Sequence, residues 1–195
     1  EMLRSLVGSE MCIRDRLMTE HFDKIKDERV DALQAGVSSI VQYYVTTDQE
    51  SEGIARCEPL IRKAISLPNI GNEIKAHMLN QLQMLYYGSE QYQDALTICE
   101  EVLRLNSSEP AYIYNASLIY EKLGLTQKQV EMVDQYMKMS NIQPVHLSHA
   151  AETYVAANRL NDAKAAFLQL RQVDSDRAAI LLFQSDIAQK LGIKH

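Results

Sequence analysis

Tryptophan is absent, and glycine occurs only seven times, proline four times and phenylalanine three times in 195 residues. Tight turns draw on Gly and Pro. So few of them exclude a many-turned β sandwich or barrel and leave room for long helices. Cysteine is scarce too, with Cys12, Cys57 and Cys99 alone. An odd, widely spaced set has neither the pairing of a disulfide framework nor metal-ligand spacing, so a reducing compartment, the cytoplasm, is the expected location. Positive charge is in deficit: 20 Lys and Arg stand against 26 Asp and Glu, for a formal net charge of −6. Binding to a phosphate backbone needs clustered cations, so nucleic acid is not an expected partner. No apolar run approaches the roughly 18–20 residues of a membrane-spanning helix; the longest is the short run 178–183.

Catalytic motifs are missing as well. No Ser, Cys or Lys stands in a nucleophile pattern such as Gly-x-Ser-x-Gly, and no glycine-rich phosphate loop is present. His146 and His149 are three apart, which could bring two imidazoles to one metal. Glu152 is the only further ligand within reach on that helix, so the pair reads as two partly exposed helical histidines. His21, His77 and His195 are isolated. Carboxylates such as Glu100, Glu101, Asp174 and Asp176 read as solvated helix faces. The chain is therefore expected to be no enzyme and to need no cofactor or metal.

What is present is helical periodicity. Apolar residues make up 46% and charged residues 24%, an ordinary globular balance, and the length suits one domain. Phe22, Ile25, Val30, Leu33, Val37, Ile40, Val41 and Tyr44 recur in steps that form one helical stripe. Thr47-x-x-Glu50 has the pattern of a capping box and predicts a new helix start. Ile54, Cys57, Ile61, Ala64 and Ile65 continue as an apolar face. Pro59 lacks an N–H and crowds the preceding turn, so a kink or restart is expected near Cys57. The break at 67–72 closes a helical hairpin over 17–72, longer than the units C-terminal to it.

Three units of 34 residues come next, 76–109, 110–143 and 144–177, each reading helix, turn, helix. Tyr86, Tyr120 and Tyr154 are the clearest rungs. Large apolar residues recur at Leu79, Ile113 and Leu147, and again at Cys99, Val133 and Phe167. Small residues fill Ala116, Ala150, Ser117, Ala151, Ala95 and Ala163, with Gln83 and Gln129 as departures. Glu90, Gly124 and Asn158 hold the turn. A last helix comes after them, in phase at Leu181 and Gly192; Gln184, Asp186, Gln189 and Lys190 could give it the polar outer face of a cap over 178–195.

In these slots the chain resembles the tetratricopeptide repeat family over 76–177, and in part to 191. The resemblance implies an all-α fold, a right-handed α-solenoid of antiparallel helix pairs. It would hold about three repeats, with the N-terminal hairpin before them and the capping helix after, packed as one continuous domain over 73–195. It also implies a concave groove lined by first helices. Carried over position by position, the groove residues are His77, Asn80, Met84 and Tyr87, then Ala111, Tyr114, Leu118 and Glu121, then Val145, Ser148, Glu152 and Val155. Tyr114 and Leu118 have an equal claim to plain interhelical packing. Chaperone-binding members grip a C-terminal carboxylate with Lys and Arg in that groove. No Lys or Arg falls at these positions, and a desolvated carboxylate needs a cationic partner, so such a clamp is disfavoured.

Residues 1–16 resemble translated sequencing-adapter sequence rather than protein and are set aside, which leaves the native N-terminus open and with it a periplasmic or membrane-tethered location. The expected function is non-catalytic: a module that binds a peptide or helix of a partner protein in the groove. Two alternatives stay open, an assembly subunit that self-associates through its terminal helices and the regulatory arm of a larger enzyme.

Overall fold

The structure, a computed structural model, describes residues 30–68, 70–184 and 187–193. The adapter-like segment, Cys12, His21, Phe22, Ile25, Asp186 and His195 lie outside that range. Ten helices and no strand occur among the described residues. They are α1 Val30–Thr46, α2 Glu50–Ile65, α3 Asn72–Gly88, α4 Tyr92–Leu105, α5 Pro110–Lys122, α6 Thr126–Tyr136, α7 Pro144–Ala156, α8 Leu160–Val173, α9 Ser175–Gln184 and α10 Ile187–Leu191. The chain divides at Asn106/Ser107 into two compact units. α1 to α4 form the first and α5 to α10 the second.

Unit 1 is two helix pairs. α1 packs on α2 and α3, α2 on α3, and α3 on α4. Val37, Ile40, Val41 and Tyr44 of α1 are buried, as the stripe requires, with Cys57, Ile61 and Ala64 of α2. Leu79, Leu82 and Leu85 of α3 and Ala95, Cys99 and Val102 of α4 complete the core. Burial pushes the Cys99 thiol up to about 12, so it is an inert packing group.

Two local expectations change. α2 is one helix from Glu50 to Ile65 with Pro59 inside it, and it does not restart near Cys57. Pro59 lies on the exposed side while Cys57, Ile61 and Ala64 anchor the opposite face; that packing outweighs the lost backbone bond. Thr47 does not cap α2. Its hydroxyl donates 2.8 Å to the Tyr43 carbonyl at the end of α1, and the residue before α2 is Gln49, without a side-chain cap.

Unit 2 repeats the pairing. α5 packs on α6, α7 on α8, α6 on α7 and α8 on α9, while α10 packs on α7 and α8. Pro110 and Pro144 each stand at the first turn of a helix, where a missing N–H costs nothing.

The five pair-closing turns share one geometry. Asp48, Glu90, Gly124, Asn158 and Gly192 have left-handed φ of 53, 61, 69, 57 and 64°. Each following residue donates its N–H back across the turn: Gln49 to Tyr44 at 2.9 Å, Gln91 to Tyr86 at 2.9 Å, Leu125 to Tyr120 at 2.9 Å, Arg159 to Tyr154 at 2.7 Å and Ile193 to Ala188 at 2.9 Å. This is a Schellman-type closure, which satisfies carbonyls that the helix end would leave open. The divergent hairpin thus turns like the regular repeats. Gly53, five residues past Asp48, stands where Ala95 and Ala163 stand in theirs.

Candidate functional site

In unit 1, α3 carries His77, Asn80, Met84 and Tyr87, all half-buried. His77 is turned to α1: its Nε2 lies 3.2 Å from the Ser38 hydroxyl and 3.4 Å from the Gln81 amide nitrogen. Burial lowers its pKa and keeps it neutral. Tyr87 packs edge-to-face on Tyr92, ring centres 5.6 Å apart. Beside these, Tyr86 donates 2.7 Å to the Glu58 carboxylate, and burial followed by that carboxylate pushes the phenol up to about 12.

In unit 2 the assigned residues take different roles. Tyr114 faces an aromatic cluster, its ring 4.9 Å from His146, 5.2 Å from His149 and 6.3 Å from Tyr136. Its area is used in packing α5 against α6 and α7. Leu118 and Ser148 are half-buried. Glu121, Glu152 and Val155 come together with Gln129, His149, Thr153, Ala156, Ile187 and Lys190 around one pocket of about 400 Å³.

The two histidines correct the sequence reading. They are buried, with 4% and 8% of their surface exposed. The reason is Tyr136, whose ring they flank at 5.7 and 6.4 Å. Tyr136 donates 3.2 Å to the His146 carbonyl and lies 3.0 Å from His149 Nδ1. Its single proton is then committed to the carbonyl, so His149 Nδ1–H donates to the phenol oxygen. His146 closes a capping box: the Gln143 N–H donates 3.2 Å to its Nδ1, and the Gln143 side chain accepts from the His146 N–H. Burial lowers the pKa of both rings, for His149 against the pull of Glu121. Among the described residues no group of three His, Cys, Asp or Glu could hold a metal.

Gln129 explains itself here. It occupies a slot where a small residue is expected, is buried, and donates its amide 3.3 Å to Glu121 and 3.2 Å to Thr153. Partial desolvation, followed by the nearby charge of Glu121, raises the pKa of Glu152. A separate tie braces α6, α7 and α8: Tyr154 donates 2.7 Å to Asp134, which Arg159 also meets at 2.7 Å. Burial of Asp134 is outweighed by these two donors, and its pKa falls.

Gln129, His149, Thr153, Ile187 and Lys190 were missed as lining residues. The signal available was weak: Gln129 stands out only as a departure from the repeat, and the others lie off the assigned first-helix positions. The terminal helix also departs from phase. Ile180 and Phe183 stand 34 residues after His146 and His149, yet they are 52% and 81% exposed. Only Asp174 separates α8 from α9, against seven residues between α6 and α7. Asp174 instead receives the Arg177 N–H at 2.8 Å and starts α9 at once.

No protein-family model matches the sequence, and no curated protein does. Solved structures match in fold. BtubC (BKLC) from P. vanneervenii aligns with a TM-score of 0.78 at 11% identity, over 95% of this chain and 84% of that one. A tetratricopeptide repeat protein from Parabacteroides merdae ATCC 43184 aligns with a TM-score of 0.66 at 15% identity, over 83% and 61%. The nearly identical TPR-like repeats of a putative kinesin light chain from Podosopora anserina give 0.62 at 17% identity, over 80% and 90%. The chain therefore has the all-α, tetratricopeptide-like helical-repeat fold. At these identities the likeness is one of fold. No helix among the described residues is long and apolar enough to cross a membrane.

Proposed function

We propose that the chain is a non-catalytic protein-interaction module, whose first-helix residues bind a peptide or helix of a partner protein. The observation that carries this reading lies in unit 2. Glu121, Glu152 and Val155, which the family resemblance assigns to the concave wall from two different helices, line one pocket. Asn80, Met84 and Tyr87 are the corresponding surface of unit 1, with polar, adaptable and aromatic contacts. Tyr114 supports that wall from behind. Affinity capture tests the reading: the chain is compared with a variant carrying Tyr87→Ala and Glu152→Ala. A partner held by the wild type and lost by the variant is the expected result. A partner retained equally by both takes these residues out of the interface.

A second reading is an assembly subunit that self-associates. Val173, Ile180 and Phe183 expose 63%, 52% and 81% of their surface on α8 and α9, and clustered exposed apolar residues mark association surfaces. Light scattering across a concentration series decides it. A mass that stays monomeric at high concentration overturns it, and a dimer abolished by Phe183→Ser supports it.

A further inference from the structure

We propose that the unit 2 pocket receives a lysine ammonium carried on a partner segment, a place that the chain's own Lys190 partly occupies. The inference rests on the interaction reading and specifies the chemistry of its contact. Glu121 and Glu152 approach the pocket from α5 and α7. Behind them His149 is more than nine-tenths buried, and its Nε2 has no hydrogen-bond partner among the described residues. With the Nδ1 proton donated to Tyr136, Nε2 presents a lone pair 3.4 Å from Glu121 Oε2. Two acceptors at that distance lack a donor between them. Gln129 supplies an N–H to Glu121 from one side only. An ammonium offers three N–H groups and no acceptor, so it can satisfy Glu121, Glu152 and His149 together. A carboxylate or phosphate would add like charge to two carboxylates.

The pocket also suits the stem. Val155, Ala156 and Ile187 line it with apolar surface, on which a four-carbon chain can lie while its charged end meets the acids. Lys190 lines the same pocket from α10. It supplies an ammonium of the same kind from within the chain, and an incoming lysine must compete with it. A free diamine would bring a second ammonium past the apolar lining and leave it without a matching acid, so a protein-borne lysine is the favoured source.

The test uses the full chain and nuclear magnetic resonance titration with three probes: an alanine-rich octapeptide with one central lysine, its norleucine counterpart, and free cadaverine. The lysine peptide is expected to shift the Gln129 side-chain amide and the Thr153 backbone amide, and the norleucine peptide to leave both in place. Glu121→Gln with Glu152→Gln, two exposed positions whose amides keep the shape, should weaken the lysine peptide at least tenfold. Lys190→Ala should tighten it several-fold. Equal shifts from norleucine, unchanged affinity in the double variant, or no gain from Lys190→Ala would each overturn the proposal. Cadaverine binding as tightly as the lysine peptide would overturn the protein-borne source. None of these failures touches the broader interaction reading, which is judged by partner capture.

Discussion

Gly53 shows how one residue decides a helix contact. An added Cβ would stand 2.8 Å from Tyr44 Cβ and 2.9 Å from Leu85 Cδ2. The first neighbour is anchored to its own backbone and cannot turn away. Gly→Ala inside a helix ordinarily stabilises by roughly 1 kcal/mol, but overpacking costs about 1–3 kcal/mol. Gly53→Ala is therefore expected to lower stability by about 1 kcal/mol or more; a urea midpoint that rises instead would show that α1 and α2 can separate freely. Gln83 is the opposite case. It is 3% exposed, and its Oε1 has no hydrogen bond among the described residues. An unsatisfied buried acceptor costs about 1–3 kcal/mol, so Gln83→Leu should raise stability by roughly 1 kcal/mol in the same titration. A drop would mean that Oε1 is satisfied by water. Gln129 is the same kind of departure in the sequence, yet it has Glu121 and Thr153 as partners. No feature of the one-dimensional pattern separates the two glutamines, because the partners of Gln129 lie 8 and 24 residues away along the chain.

Helix pairs are the unit in which the fold was legible. The 34-residue spacing of Tyr86, Tyr120 and Tyr154, with Glu90, Gly124 and Asn158 four residues on, marks the same left-handed closure each time. Tyr44 and Asp48 carry that closure too, but they precede Tyr86 and Glu90 by 42 residues rather than 34. The shift hides the first pair from a fixed-period reading. Thr47 misled for a related reason: a Ser or Thr hydroxyl can cap the next helix or bond back to the last one, and the two look alike in sequence. At Pro59 the intrinsic penalty was read correctly and its consequence was not. Proline inside a helix costs on the order of 3 kcal/mol, and α2 holds its course because Cys57, Ile61 and Ala64 are buried. Pro59→Ala should recover about 2 kcal/mol of that penalty. Calorimetry checks it through a higher melting temperature, and an unchanged value would show that the turn before Pro59 is already relaxed.

Over the whole molecule, three histidines share one electrostatic condition. Burial lowers the pKa of His77 in unit 1 and of His146 and His149 in unit 2. In the unfolded chain each returns to its ordinary value near 6.5. Between that value and the lowered one the unfolded state binds more protons, so stability falls as pH falls. Asp134 works in a lower window: its depressed pKa contributes stability above the ordinary carboxylate value that is lost only as pH drops through the folded one. The expected outcome is a urea midpoint lower at pH 5.5 than at pH 7.5, with proton uptake on unfolding. A flat profile would place these imidazoles in water. Protonation of His146 also removes the acceptor for the Gln143 N–H, so the start of α7 should lose amide-exchange protection first.

The sequence by itself determined the helical class, the regular pairs and the turn positions, because those depend on residues three, four and 34 apart along one chain. It also placed Glu121, Glu152 and Val155 on first helices. Only the tertiary structure decided that those three share a pocket with Gln129, His149 and Lys190, that Tyr114 packs on buried histidines, and that Ile180 and Phe183 leave their phase for the surface. The physical reason is that burial and hydrogen bonding belong to pairs of residues. Such pairs form across helices whose approach is set by side-chain volume and loop length, quantities that periodicity does not carry.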